Sequence, residues 1–212
     1  MNISLLTNNR KETTFFALCA FNFGLIAIRV IATESLFYGF LVWNLILAGV
    51  PLIISTWLLE NPKACKSKIL FLLSAIWLLF LPNAPYIITD FLHFKTSRGM
   101  PEWFDLLLLM SFSWSGIAFG FLSMADMHKI WETRFNAKTG WMFIAACCLL
   151  SGFGIYLGRF LRYNSWDIIS NPLELITDIP LLLCQLRTIG FSLGYGSFVL
   201  LAYSFFKFNS AK

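Results

Sequence analysis

Apolar residues in this chain fall into long runs with few charges, separated by short polar stretches. Each run is about twenty residues long, the length that an α-helix needs to cross roughly 30 Å of hydrocarbon. The pattern therefore predicts an all-α membrane protein, in which a six-helix transmembrane bundle forms a single polytopic domain over residues 1–212. The predicted spans are residues 15–33, 36–59, 69–93, 104–125, 141–163 and 182–206.

The third run contains the stretch LPNAPY at Leu81–Tyr86, which is incompatible with a regular helix. Pro82 and Pro85 have no N–H, so the carbonyls that they would serve in an α-helix lose their donors. At membrane depth such a break is tolerated only where protein or a watered cavity supplies new partners. We therefore predict a proline-broken third helix. The amide of Asn83, between the two prolines, is placed to supply one of those partners.

A polar stripe follows the break. Tyr86, Asp90 and His93 recur at i, i+4 and i+7, so an α-helix would place them on one face with Thr89 beside them. Ionisable groups at membrane depth are candidates for function. Asp90 and His93 are accordingly the candidate catalytic residues for acid–base chemistry, although a satisfied polar network would have the same composition.

Two arginines lie near the end of the fifth run. Arg159 and Arg162 are spaced i and i+3, which would place them on one helical face, and Asn164 follows as a plausible C-terminal cap. They could cap the helix and reach toward the interface. Alternatively they could pair with Asp90, Asp105 or Asp167, or hold an anionic group. An unpaired charge in this layer would cost several kcal/mol, so we expect Asp90 to lie near one of them. The predicted polar cluster comprises Asn83, Tyr86, Asp90, His93, Asp105, Arg159, Arg162, Asn164 and Asp167.

Small residues suggest where the helices pack closely. Three consecutive spans contain glycines four residues apart, a spacing that lets helix backbones approach. In the second run, Asn44 suggests an interhelical hydrogen bond and Pro51 a kink. The glycine pairs are Gly116/Gly120, Gly154/Gly158 and Gly190/Gly194.

The segment between the last two spans predicts a short helix on the outer membrane surface. Asn171 would be the N-cap, Pro172 the first helical residue and Glu174 the residue that reaches back to the cap. We expect this helix to end before Pro180 and to cover the mouth of the bundle.

Composition supports the membrane prediction and adds an orientation. Hydrophobic residues make up 58% of the chain and mean hydropathy is +0.72, which excludes a soluble globular domain. The net charge of +5 comes from scattered basic residues, so no nucleic-acid partner is expected. Ten of the 16 Lys and Arg residues fall on the side of the two termini. The predicted location is the bacterial plasma (inner) membrane, with both termini cytoplasmic.

Cysteines and histidines do not form a recognisable metal site. The five cysteines show no CxxC or Cys/His zinc spacing. Asp90 and His93 would supply only two ligands, and the other histidine, His128, should lie roughly 30 Å from Asp105 along span four. No metal and no cofactor is therefore expected, and the chain has no phosphate-binding loop or hydrolase motif.

Two motifs carry a family resemblance. FLPNAPYIITD at Phe80–Asp90 and GIYLGRFLRYNSWD at Gly154–Asp167 resemble a bacterial multi-pass family known as domain of unknown function 1361. GFLS at Gly120–Ser123, followed by Met127 and His128, is a weaker point of agreement. The resemblance runs from about span two to span six. It implies a membrane topology and no particular activity.

Three classes of function fit these observations. The first is a scaffold or accessory membrane subunit, in which the polar cluster holds the bundle together. The second is a membrane-embedded enzyme acting on a lipid-linked or amphiphilic anionic substrate. The third is a small-solute transporter with its site at the broken helix. The expected partners are the lipid bilayer and a lipid or membrane protein.

Overall fold

The computed structural model describes residues 3–65, 68–94, 99–170 and 172–210, and this part of the chain is helical with no strand. Its helices are α1 (Ile3–Thr33), α2 (Phe40–Glu60), α3 (Pro62–Cys65), α4 (Ile69–Phe80), α5 (Asn83–Tyr86), α6 (Glu102–Arg134), α7 (Ala137–Tyr156), α8 (Asp167–Ser170), α9 (Pro172–Leu183) and α10 (Leu186–Ser210). A 3-10 segment (Ile87–His93) continues α5, and a π-helical segment (Leu157–Leu161) continues α7.

Within the described residues, six helical stretches are long and apolar enough to cross a membrane, which confirms the six-helix prediction. They are called here spans one to six: Phe15–Thr33, Phe40–Glu60, Ile69–His93, Glu102–Arg134, Ala137–Leu161 and Leu186–Asn209. Span four is longer than predicted because its helix continues past the apolar run to Arg134, with no Gly or Pro to stop it. Spans one, three and five finish at one end of the bundle, the site end. The opposite end contains Lys63 and is called the basic end.

Span four occupies the centre of the bundle and contacts spans one, two, three and five, whereas span six packs chiefly on span five. Two buried apolar clusters fill the interior. The cluster at the site end includes Leu41, Ala84 and Phe112, and that at the basic end includes Trp77 and Leu81. The proline break, between Leu81 and Ala84, therefore lies where the two clusters meet.

The break in span three changes the backbone hydrogen bonding and divides the helix into two elements, α4 and α5. Leu81 and Pro82 keep right-handed helical angles, with φ of −54° and −56°. The Leu81 carbonyl accepts instead from the N–H of Ala84 at 3.1 Å, a 3-10 type of bond. The Asn83 amide donates to the Phe80 carbonyl at 2.9 Å. This confirms both the interruption and the local role predicted for Asn83.

Glycines of spans four and five let both helices approach the break. A Cβ at Gly116 would lie 2.9 Å from the Ala84 carbonyl oxygen, and one at Gly154 would lie 2.6 Å from Pro82. Gly120 and Gly158 have the same role one turn further along, against Ala84 and Tyr86. Two of the three predicted glycine pairs therefore pack on span three.

The prediction for the third glycine pair is wrong. Nothing lies within 4 Å of a Cβ placed on Gly190 or Gly194. Span six instead approaches span five through Gly196, where a Cβ would lie 2.7 Å from Leu149 Cα, and Gly152 faces the Ser192 carbonyl. The two glycines that allow this close approach, Gly152 and Gly196, lie on different helices. Their pairing therefore cannot be recognised from the spacing of glycines within one helix.

The segment after span five departs from the sequence prediction in two ways. The helix ends at Arg162, which has a left-handed φ of 62°, so Asn164 is not its C-cap. The helix α9 also runs through Pro180 to Leu183 instead of ending before it. A proline removes one backbone donor, but the chain can continue when the rest of the turn is bonded. The predicted N-cap, Asn171, lies outside the described residues.

Candidate functional site

The guanidinium of Arg159 is the centre of the polar cluster at the site end. Its Nε donates to the Thr89 hydroxyl at 2.8 Å, and its Nη2 reaches Asp90 Oδ1 at 2.7 Å. Nη1 lies 3.4 Å from Nδ1 of His93, and the guanidinium carbon lies 4.7 Å from the centre of the Tyr86 ring. One cation therefore contacts four side chains of span three, and it forms the predicted ion pair with Asp90.

The carboxylate of Asp90 is satisfied from two sides. Its Oδ2 accepts a 2.8 Å hydrogen bond from the amide of Asn44 in span two. The side chains of Asp90 and Arg159 are only 2% and 9% exposed, so both charges are buried. Buried charges are tolerated when they are paired and hydrogen-bonded. The set Asn44, Thr89, Asp90, His93 and Arg159 is called here the Arg159 network.

Sequence reasoning missed Asn44 as a member of this network. A single amide in an otherwise apolar helix does predict an interhelical hydrogen bond, and the structure contains that bond. Its partner could not be read from the sequence, because spans two and three become neighbours only in the tertiary fold.

The winding of span three differs from the one assumed for its polar stripe. The segment from Ile87 to His93 is a 3-10 helix with about three residues per turn, not an α-helix. This winding brings Thr89, which an α-helical wheel places beside the stripe, into direct contact with Arg159. The sequence identified the residues of the stripe but not the 3-10 winding that positions their side chains.

The two arginines of span five do not act together. Arg162 is exposed and forms no ion pair or hydrogen bond with any described residue. The π-helical turn and the left-handed Arg162 rotate it away from the face that Arg159 occupies, so the i, i+3 argument fails.

Asp105 belongs to a different ion pair. Its two carboxylate oxygens lie 2.7 and 3.2 Å from the guanidinium nitrogens of Arg29 in span one. The Arg29 guanidinium also stacks over the Tyr38 ring at 4.4 Å. The prediction that Asp105 pairs with the arginines of span five is wrong, because the first turn of α6 presents this side chain to span one.

Asp167 and Asn164 form a local turn. The Asp167 carboxylate accepts from the backbone N–H of Asn164 at 2.6 Å and from the Ser170 hydroxyl at 3.0 Å. Asp167 is the first residue of α8, where a carboxylate is favoured by the free N–H groups. It is therefore not a partner of Arg159.

A cavity of about 180 Å³ lies beside the proline break. Spans two, three and five, the loop after span five and α9 all contribute to its walls, but Asp90, His93 and Arg159 do not. Its polar and aromatic lining residues are Trp43, Asn44, Asn83, Tyr86, Tyr163, Asn164 and Ser165.

His128 lies far from this site, toward the basic end of span four. It is fully buried, with Nδ1 3.0 Å from the Tyr203 hydroxyl and its ring against Trp141. Within the described residues no group of three or more His, Cys, Asp or Glu side chains is arranged to hold a metal ion.

The six spans and the buried network at one end define a multi-pass helical membrane protein. The family described as protein of unknown function (DUF1361) matches residues 43–202. The chain belongs to this family, as its motifs indicated. The matched region contains the whole Arg159 network, whereas Arg29 in span one lies outside it. No curated protein and no solved structure matches the chain.

Proposed function

We propose that this protein is a non-catalytic scaffold or accessory subunit of a membrane complex, in which the Arg159 network is a structural clamp. The observation that carries the proposal is the mutual pairing of the charged groups. Arg159 donates from Nε to Thr89 and from Nη2 to Asp90, with Nη1 3.4 Å from His93, and Asp90 uses both oxygens on Arg159 and Asn44.

A clamp of this kind has a clear structural purpose. The 3-10 segment of span three has poorer backbone hydrogen bonds than an α-helix would have. Side-chain bonds to Asn44 and Arg159 attach this segment to spans two and five. The network therefore compensates for the weakness that the two prolines introduce.

The alternatives have less support. A general acid or base must reach a substrate, yet Asp90 is almost fully buried and neither it nor His93 lines the cavity. An enzyme for an anionic amphiphile would need an open guanidinium at its binding site; Arg159 is paired with Asp90, and the exposed Arg162 is not among the described residues that line the cavity. A transporter would need a path through the bundle, whereas the polar cavity lies at one end.

The scaffold proposal is tested by isolating the tagged chain from its own membranes after crosslinking and measuring its complexes by native electrophoresis and quantitative mass spectrometry. We expect a protein partner at fixed stoichiometry, retained in the Asp90→Asn/Arg159→Gln double variant because the network supports only the fold. Arg162→Gln is the matched control. A single-chain particle carrying an anionic lipid that is lost with Arg159→Gln, but not with Arg162→Gln, would favour the enzyme instead.

We propose further that the chain resides in a bacterial plasma membrane with both termini and the basic end in the cytoplasm. The excess of Lys and Arg on that side supports this orientation. One native cysteine is exposed enough to report on it, whereas a second, at the opposite end, is not. Cys184 is exposed near the site end. Cys65, toward the basic end, donates to the Leu58 carbonyl, and burial raises the pKa of its thiol.

An impermeant maleimide should label Cys184 in intact cells. Lys63→Cys, placed in a Cys184→Ser background, should be labelled only after the membrane is permeabilised. The opposite pattern would reverse the orientation.

A further inference from the structure

The cavity beside the proline break presents hydrogen-bond acceptors that the fold does not use. The amide nitrogens of Asn44, Asn83 and Asn164 all donate to protein oxygens. These bonds fix which way each amide points. The carboxamide oxygens of the same three residues accept no hydrogen bond from any described residue, and the Tyr86 hydroxyl has no such partner either.

The described part of the lining carries no charge. Among the residues that the structure describes, none that lines the cavity is Asp, Glu, Lys, Arg or His. The nearest cation, Arg159, lies against the ring of Tyr86 and is neutralised by Asp90. An anionic group would meet no cation in the described lining, and each of the three amide nitrogens already donates at least one hydrogen bond to the protein. A cationic group would meet carboxylates that are already engaged, because Asp90 pairs with Arg159, Asp178 accepts from Tyr163 and Asp167 accepts from Asn164.

Uncharged acceptors favour a neutral ligand with many hydrogen-bond donors. Hydroxyl groups are neutral donors of this kind. The rings of Trp43, Tyr86 and Tyr163 add flat apolar faces, which suit the C–H face of a sugar ring. The volume of about 180 Å³ is well below that of a drug-sized site, so only a head group would fit. Trp43 is 53% exposed on the outside of span two, so the cavity borders the lipid-facing surface.

We propose that this cavity binds a neutral, polyhydroxylated group of the size of one sugar ring, supplied by a glycosylated amphiphile or by a free sugar. Asn44, Asn83, Asn164 and Tyr86 are the hydrogen-bonding residues. Ile179 of α9 forms part of the wall and is the position where an added side chain closes the cavity. The proposal does not depend on the scaffold function.

Binding is measured with the full chain purified in a polyoxyethylene detergent, which carries no sugar and no charge. The thermal midpoint is followed while octyl glucoside, free glucose, an alkyl phosphate or an alkyl trimethylammonium salt is added below its micellar concentration. A saturable rise with octyl glucoside alone assigns the site to an amphiphile. An equal rise with free glucose assigns it to the sugar itself. Equal shifts with all four probes, or no shift with either glucoside probe, would overturn the proposal.

Variants connect the response to the cavity. Ile179→Trp should abolish it, whereas Leu181→Trp, on the exposed side of the same helix, should leave it unchanged. Tyr86→Phe removes a hydroxyl that supports no bond in the fold and should weaken binding about fivefold, the contribution of one hydrogen bond. A response that survives both Ile179→Trp and Tyr86→Phe at full strength would place the ligand elsewhere and refute the assignment.

Discussion

The buried ion pair between Asp90 and Arg159 should behave as a coupled unit in folding. Asp90→Ala leaves the Arg159 guanidinium without a counter-charge, although it is only 9% exposed. Arg159→Ala leaves Asp90 with Asn44 alone. Removing one partner of a buried pair costs about 3–5 kcal/mol, which for a chain of this size is a fall in the thermal midpoint of about 6–20 °C.

Replacing both partners removes both buried charges together. The double variant Asp90→Leu/Arg159→Met fills similar volume without charge, so it should be more stable than either single alanine variant. Lys207 and Glu132 supply a control, because they form a longer pair at 3.8 Å whose side chains are 32% and 45% exposed, far more than those of Asp90 and Arg159. Lys207→Ala should cost about 1 kcal/mol or less.

Circular dichroism at increasing temperature, with every variant in the same detergent and lipid, gives the four midpoints of the cycle. The double alanine variant Asp90→Ala/Arg159→Ala completes the cycle, and a loss equal to the sum of the two single losses would show that the charges are not coupled. Single variants no less stable than Lys207→Ala would show that the pair is not buried in solution as it is in the structure.

Three further predictions concern other contacts. Gly154→Ala should destabilise the fold by about 1–3 kcal/mol because the added Cβ would clash with Pro82. Gly190→Ala, which has open space around it, should not destabilise the fold, and the thermal midpoints of the two variants test the difference. Changing both Pro82 and Pro85 to Ala should let α-helical bonds form through the break and move Thr89 and Asp90 away from Arg159. Arg159→Ala should then cost less in the double alanine background than in the native chain, and an equal loss of thermal midpoint would contradict this. Arg29→Ala should cost about 3–5 kcal/mol, with most of the loss recovered when Asp105 is changed to Leu as well, and additive losses would argue against the pair.

The sequence was sufficient for those features that depend on local chemistry. Twenty-residue apolar runs predict membrane helices because backbone groups in hydrocarbon must bond within their own segment. Pro82 and Pro85 predict the break because the loss of a donor does not depend on what surrounds it. Asn83 could be assigned for the same reason, since its partner, the Phe80 carbonyl, is three residues away.

Features that depend on neighbouring helices could not be predicted in this way. Asp105 and Arg29 are 76 positions apart, and nothing in either apolar run indicates that spans one and four would be neighbours. The 3-10 winding after the break is accompanied by tertiary bonds from Arg159 and Asn44, which a helical wheel could not anticipate. The same limit explains Gly152 and Gly196, whose close approach is a property of two helices and not of one spacing.

The loop after span five takes part in the backbone bonding of span three. The hydroxyl of Ser165 donates to the Leu79 carbonyl at 3.0 Å and accepts from the Asn83 amide at 3.1 Å. Among the described residues, no backbone N–H serves that carbonyl. A shift of the loop would therefore strip a peptide group of its donor inside an apolar layer, at a cost of a few kcal/mol. Span three and this loop must consequently move together. A force applied to the loop would therefore be transmitted directly to the proline break within the membrane.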